Sequence, residues 1–214
     1  MKNFLLFVMI WFVVTGCSQD PRIGIFQYSK DIGDPKLAGK ATFNEKDQSY
    51  LLEGAGYNIW FDTDEFYYLF SEWQGDFILT ADFEFIGAGT DPHRKIGLMV
   101  RESEQANASH ISATLHGDGL TVLQWRRAEG EAMRDPEDQI FASKSQYQTL
   151  QLDRKGNQFT MHAALAGEPL EKIGSHTMSA LDEKVLLGLF INSHHEDVLE
   201  QAKIWNVRLE KPPF

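Results

Sequence analysis

An apolar residue at every second position, repeated along nearly the whole chain, limits the fold more than any other feature. At 95–101, Ile96, Leu98 and Val100 fall on one side, and Lys95, Gly97, Met99 and Arg101 on the other. At 110–116, Ile111, Ala113 and Leu115 alternate with His110, Ser112, Thr114 and His116. At 158–165, Phe159, Met161 and Ala163 alternate with Thr160 and His162. Side chains along a strand point to opposite faces in turn, so this period marks strands with one buried face. Helical periodicity is almost absent. A dozen segments read as strands: 24–28, 39–43, 49–53, 65–73, 77–86, 95–101, 110–116, 120–126, 149–154, 158–165, 185–191 and 203–210. That many short strands close into a two-sheet sandwich or a barrel.

Turn chemistry supports the reading. Gly117-Asp118-Gly119 and Lys155-Gly156-Asn157 each join two alternating runs, as hairpins do. Gly54-Ala55-Gly56 breaks a strand pattern and predicts a bend or a close backbone approach. The longest polar stretch, 128–146, holds Arg134-Asp135-Pro136-Glu137-Asp138 and reads as a long functional loop. No repeat or second composition regime divides the chain.

The N-terminus reads as an address. Lys2 is followed by an unbroken apolar run of 11 residues at 4–14. Crossing the hydrocarbon core takes roughly 20, so the run predicts a secretory signal. Val14-Thr15-Gly16-Cys17 resembles the bacterial lipobox. The single cysteine of the chain stands where that signal needs its lipid-bearing thiol, and two or three acyl chains anchor stably. The expected organisation is a signal peptide at 1–16, a lipidated tether at 17–22 and one domain at 23–214. The expected location is the bacterial cell envelope, anchored to the membrane through Cys17. A domain of roughly 190 residues can bury a sufficient core without a disulfide, and one cysteine permits none within the chain.

Four segments together resemble a known family. Lys95-Ile96-Gly97-Leu98-Met99-Val100-Arg101 is similar to a Lys-Ala-Gly-Leu-Met-x-Arg strand of the concanavalin A-like "regulation of enolase 1-like" sandwiches. Segments 150–157, 188–194 and 202–207 follow the same pattern, and a separate upstream piece is Gly54-Ala55-Gly56-Tyr57-Asn58-Ile59-Trp60 with Asp64-Glu65-Phe66. The latter piece looks like a domain appended to TolB-type β-propellers in Bacteroidetes-like bacteria. The resemblance implies an all-β, two-sheet antiparallel jelly-roll sandwich, and a periplasmic propeller protein as a candidate partner. Sandwiches of this kind include lectins, carbohydrate-binding modules, glycosidases and polysaccharide lyases. Many carry a structural calcium, for which Asp62, Asp64 and Asp91 are candidate oxygen ligands.

Chemistry narrows the function. Lys plus Arg number 20 against 31 Asp plus Glu, a net charge of −11, which argues against binding nucleic acid. No Glu-x-Asp-x-x-Glu strand, Gly-x-Ser-x-Gly elbow or phosphate loop is present. The nearest carboxylate pairs are Asp62-Thr63-Asp64-Glu65 and Asp82-Phe83-Glu84. His194-His195-Glu196-Asp197 lacks the spacing of a zinc site. Sugars need an aromatic platform and planar polar groups. Trp60 and Trp125 are the expected platform, and Arg101, His110, His116, Asn192 and His194 the expected polar contacts. Non-catalytic recognition of a glycan or glycoconjugate is thus the leading expectation. A glycosidase, or a lyase with a His or Tyr base beside Arg101, is the alternative, and a structural partner of a propeller or transport complex the third.

Overall fold

The computed structural model describes residues 22–212; the signal, Cys17 and the rest of the tether up to residue 21 lie outside them. Among the described residues, fourteen strands form two antiparallel sheets of seven. They are β1 (Tyr28–Ile32), β2 (Lys40–Asn44), β3 (Ser49–Gly56), β4 (Phe66–Gln74), β5 (Phe77–Ile86), β6 (Lys95–Arg101) and β7 (His110–His116). After them come β8 (Thr121–Arg126), β9 (Gln139–Phe141), β10 (Thr149–Lys155), β11 (Gln158–Ala164), β12 (Glu171–Thr177), β13 (Lys184–Asn192) and β14 (His195–Glu210).

The first sheet runs β1-β4-β13-β6-β7-β8-β9 and the second β12-β11-β10-β5-β14-β3-β2. The chain changes sheet repeatedly, so the late strands β13 and β14 end up central in their sheets. The alternating apolar faces meet between the layers. Leu69, Leu98, Ile111, Leu123 and Leu189 of the first sheet pack with Leu52, Leu79, Leu152, Phe159 and Ile204 of the second. Burial of such faces is the dominant stabilising term for a sandwich.

The two glycine-bearing turns join β7 to β8 and β10 to β11, as their residues predict. Gly56 is a close approach: a Cβ there would lie 2.1 Å from the Glu65 carbonyl oxygen, and its φ is +117°. Four strand assignments differ from the sequence reading, and one of them is β14, which begins at His195 rather than at residue 203. Residues 23–26 form a tight turn closed by reciprocal Ile23 and Phe26 bonds of 3.1 Å where the sequence reading puts a strand at 24–28, and the first strand begins at Tyr28. The strands β9 and β12 were not expected. β9 is three residues inside the polar 128–146 stretch, and β12 is an edge strand, mostly half-buried, without clean alternation.

One further arrangement positions the site. The outer face of the first sheet is not simply solvated. A second apolar cluster of Ile32, Ile59, Phe66, Tyr68, Phe70, Met99 and Phe190 covers part of it. Ile59 comes from the connection between β3 and β4, so this connection lies over the sheet as a roof.

Candidate functional site

The polar faces of β6 and β7 do fall side by side: Lys95 pairs with His116 at one end and Arg101 with His110 at the other. The two ends have different fates. At the Arg101 end, Asp64 of the β3–β4 connection is fully buried against the sheet. Arg126 grips its carboxylate through two bonds of 2.6 Å, and Arg101 adds one of 2.7 Å. The remaining guanidinium hydrogens go to backbone carbonyls, including those of Phe61, Gln105, Ala108 and Glu131. Burial disfavours the charge of Asp64, but neighbouring His110, Arg101 and Arg126 outweigh it and hold the carboxyl below its ordinary range. His110 is buried with them, and burial pushes its imidazole down to about 3. This is a bolt that fixes the roof, not a surface for a ligand.

At the Lys95 end, the sheet opens into a cavity of about 310 Å³. Lys95, His116 and Gln124 rise from β6, β7 and β8. Asn58 and Trp60 come from the roof, His93 from the turn before β6, and His194 from the β13–β14 connection. Asp135, Gln139 and Phe141 come from the long polar stretch. The Lys95 amine donates to Asn58 Oδ1 at 2.9 Å and the His93 carbonyl at 3.1 Å, with His194 Nδ1 at 3.5 Å. Burial lowers its pKa to about 8, against the pull of Asp91 and Asp64. His116 is also buried, and neither ring nitrogen has a hydrogen-bond partner. Burial, and then the positive charge of Lys95, keeps this imidazole neutral, with a pKa of about 3. The His93 ring stands edge-on to those of both His116 and His194, at 6.0 and 5.6 Å.

The surrounding supports are specific. Arg94 meets Glu200 at 2.6 Å in a buried pair and lies over the Phe85 ring, which fixes the turn carrying His93. Asn192 donates to the carbonyls of Gly56 (2.9 Å) and Glu65 (2.7 Å), and its Oδ1 accepts from His194 N–H. The stacked Tyr57 ring lies 6.0 Å from that of His194. Tyr57, Phe61 and Phe141 are all about half exposed, so the region around the cavity keeps aromatic surface in water.

Of the residues expected to bind, Trp60, His116 and His194 line this cavity. Four do not. Arg101 and His110 are buried in the Asp64 cluster, because the roof covers their end of the face. Asn192 is buried as a brace between strand ends. Trp125 is on the opposite face of β8, where alternation sends it into the core to stack on His176 with ring centroids 3.7 Å apart. Arg101 is fully buried and so presents no surface to a substrate beside a lyase base. The polar and aromatic cavity residues missed were Asn58, His93, Lys95, Gln124, Asp135, Gln139 and Phe141, and Leu120 also lines it. Alternation already placed Lys95 on the face opposite the core, but not which end of that face stays open.

Metal expectations fare differently from the sugar site. Asp64 is committed to two guanidiniums, Asp91 caps the His93 N–H at 2.7 Å, and Asp62 contacts Thr63. No group of three or more His, Cys, Asp or Glu able to hold a metal occurs among the described residues. These three carboxylates therefore do not fit a calcium site. His194 and His195 likewise separate: His194 faces Lys95, while His195 Nδ1 accepts from Asp197 N–H.

No known family and no curated protein sequence matches the chain. Solved structures do. A functionally unknown protein from Saccharomyces cerevisiae matches with a TM-score of 0.63 at 14% identity, covering 87% of this chain and 97% of the other. The carbohydrate-binding module CBM66 from Bacillus subtilis matches at 0.52 and 12%, covering 89% and 100%. The alginate lyase A1-II′ matches at 0.53 and 9%, covering 80% and 83%. At these identities the likeness is one of fold. The chain is an all-β, two-sheet antiparallel jelly-roll sandwich of the concanavalin A-like kind.

Proposed function

We propose that this protein binds a glycan or glycoconjugate in the cavity at the Lys95 end of the first sheet, without cleaving it. The observation that carries the reading is His116. A neutral imidazole has one donor and one acceptor, and burying both unpaired costs free energy that a ligand hydroxyl would recover. Around it stand Gln124, Gln139 and Asn58, which offer amide donors and acceptors, and Trp60 and Phe141, which offer ring faces to sugar C–H groups. A glycan-related role also accords with the structural neighbours, among them a carbohydrate-binding module and a polysaccharide lyase. The finer assignment to the "regulation of enolase 1-like" sandwiches rests on the sequence segments alone.

The test is a glycan array followed by affinity electrophoresis. At least one polysaccharide should retard the protein, and Trp60→Ala should abolish most of the retardation while Trp205→Ala, on the other sheet, should not. No retardation by any polysaccharide contradicts the reading.

Cleavage of the bound chain is a second reading, favoured by the likeness of the fold to an alginate lyase, although an imidazole with a pKa of about 3 is a weak base near neutral pH. Two facing carboxylates, as most glycosidases use, are not available among the cavity's lining residues, where Asp135 is the one carboxylate. Product chromatography after long incubation separates binding from turnover.

We further propose export and lipid attachment at Cys17, which would hold the site at the cell envelope. Incorporation of labelled fatty acid into the full chain, lost in Cys17→Ser, tests it.

A further inference from the structure

We infer that the preferred ligand is an acidic sugar, a uronate whose carboxylate seats against the Lys95 amine. The inference rests on the glycan reading and names its substrate class. Its basis is the charge that the cavity leaves unanswered. Lys95 is buried, yet each of its hydrogen-bond partners is a neutral acceptor: Asn58 Oδ1, the His93 carbonyl and His194 Nδ1. Arg94, Arg101 and Arg126, also buried, each meet a carboxylate within the fold. Arg154 does not, but carbonyls of Gly156, Leu181, Asp182 and Glu183 surround it and take up its guanidinium hydrogens. Lys95 thus lacks an ion-pair partner among the described residues and borders an opening.

The surroundings suit an anion. Among the lining residues Lys95 is the cation, and the carboxylate, Asp135, is exposed while Lys95 is buried. Three imidazoles, of His93, His116 and His194, stand around the amine and can donate to carboxylate oxygens. A buried cation unpaired in the free protein is costly, so an incoming carboxylate gains more here than at a solvated lysine. The chain as a whole is strongly acidic and repels anions at long range. Selectivity must then come from contact at this one site. A neutral sugar fills the same hydroxyl contacts and leaves the amine as it was.

The experiment is calorimetric titration of the protein with tetrasaccharides of galacturonate, mannuronate and guluronate, each beside its carboxyl-reduced counterpart. The comparison needs no variant. At least one acid form should bind about tenfold tighter or more than its reduced form, and the gap should narrow as salt is raised. Lys95→Gln should bring the two forms within about twofold, with folding checked by melting temperature; Lys95→Arg should keep part of the preference. Equal affinity for an acid and its reduced form in every pair overturns the inference and leaves the glycan reading standing. Binding by neutral sugars alone does the same. Failure of all acid and neutral sugars to bind, here and on the array, overturns both.

Discussion

His110 and His116 stand at the two ends of one strand and show how much a single side chain's fate depends on what covers it. Both are buried and held neutral, with pKa values pushed from 6.5 to about 3. The unfolded chain takes up protons near pH 6.5 that the folded protein refuses, so stability rises with pH between these values. It is fully present above about pH 6.5 and falls as pH drops toward 3, by about 1.4 kcal/mol per pH unit for each histidine. Urea unfolding at pH 7, 6 and 5 should show the midpoint falling, and His116→Gln should make the fall shallower. A midpoint independent of pH in this range contradicts the assignment. Asp64 makes a separate demand. Asp64→Ala leaves Arg101 and Arg126 buried without a carboxylate, and should cost about 3–5 kcal/mol in denaturant unfolding. A loss below about 1 kcal/mol would mean the roof is held by its apolar contacts. At this scale the sequence was half legible. It marked His116, His194 and Trp60, and it assigned Arg101 and His110 to the correct face. Alternation cannot tell a covered polar residue from an open one.

Strands and connections carry the next level. The strands β6 and β7 were readable because both alternate without interruption, but their pairing was not, because no tight-turn signal marks the connection at 102–109. The glycine in β6 has a steric reason: a Cβ on Gly97 would lie 2.0 Å from the Ala113 carbonyl oxygen of β7. Gly97→Ala should therefore destabilise by about 1–3 kcal/mol, seen as a lower thermal midpoint, because backbone rather than a pliable side chain must give way. An unchanged midpoint would place the strands farther apart than described here. Residues 139–141 and 171–177 escaped the sequence reading for physical causes. β9 is too short to display a period, and β12, at the edge of its sheet, has little apolar face to mark. The connection between β3 and β4 was the larger omission. Its buried Ile59 and Asp64 sit in a segment without period-two alternation, so nothing local declares that it folds back over the sheet.

For the whole molecule, two stacked sheets provide a rigid base, and the connections decide where that base stays open. Asp64 with its two arginines closes one end of the outer face. The pair of Arg94 with Glu200 and the Asn192 brace fix the segments around the other end, where the cavity lies. The layered architecture was legible from periodicity because it follows from local alternation. The location of the cavity was not, because it depends on contacts between residues far apart in the chain. The seven histidines of the chain offer the most direct test of the account's central claim. In a magnetic resonance titration of the histidine-labelled protein with a polysaccharide fragment that binds it, the ring signals of His93, His116 and His194 should move together and saturate. Those of His110, His162 and His176 should stay in place. Saturating shifts at His162 or His176 with His116 unmoved would put the ligand elsewhere and contradict the assignment of the cavity.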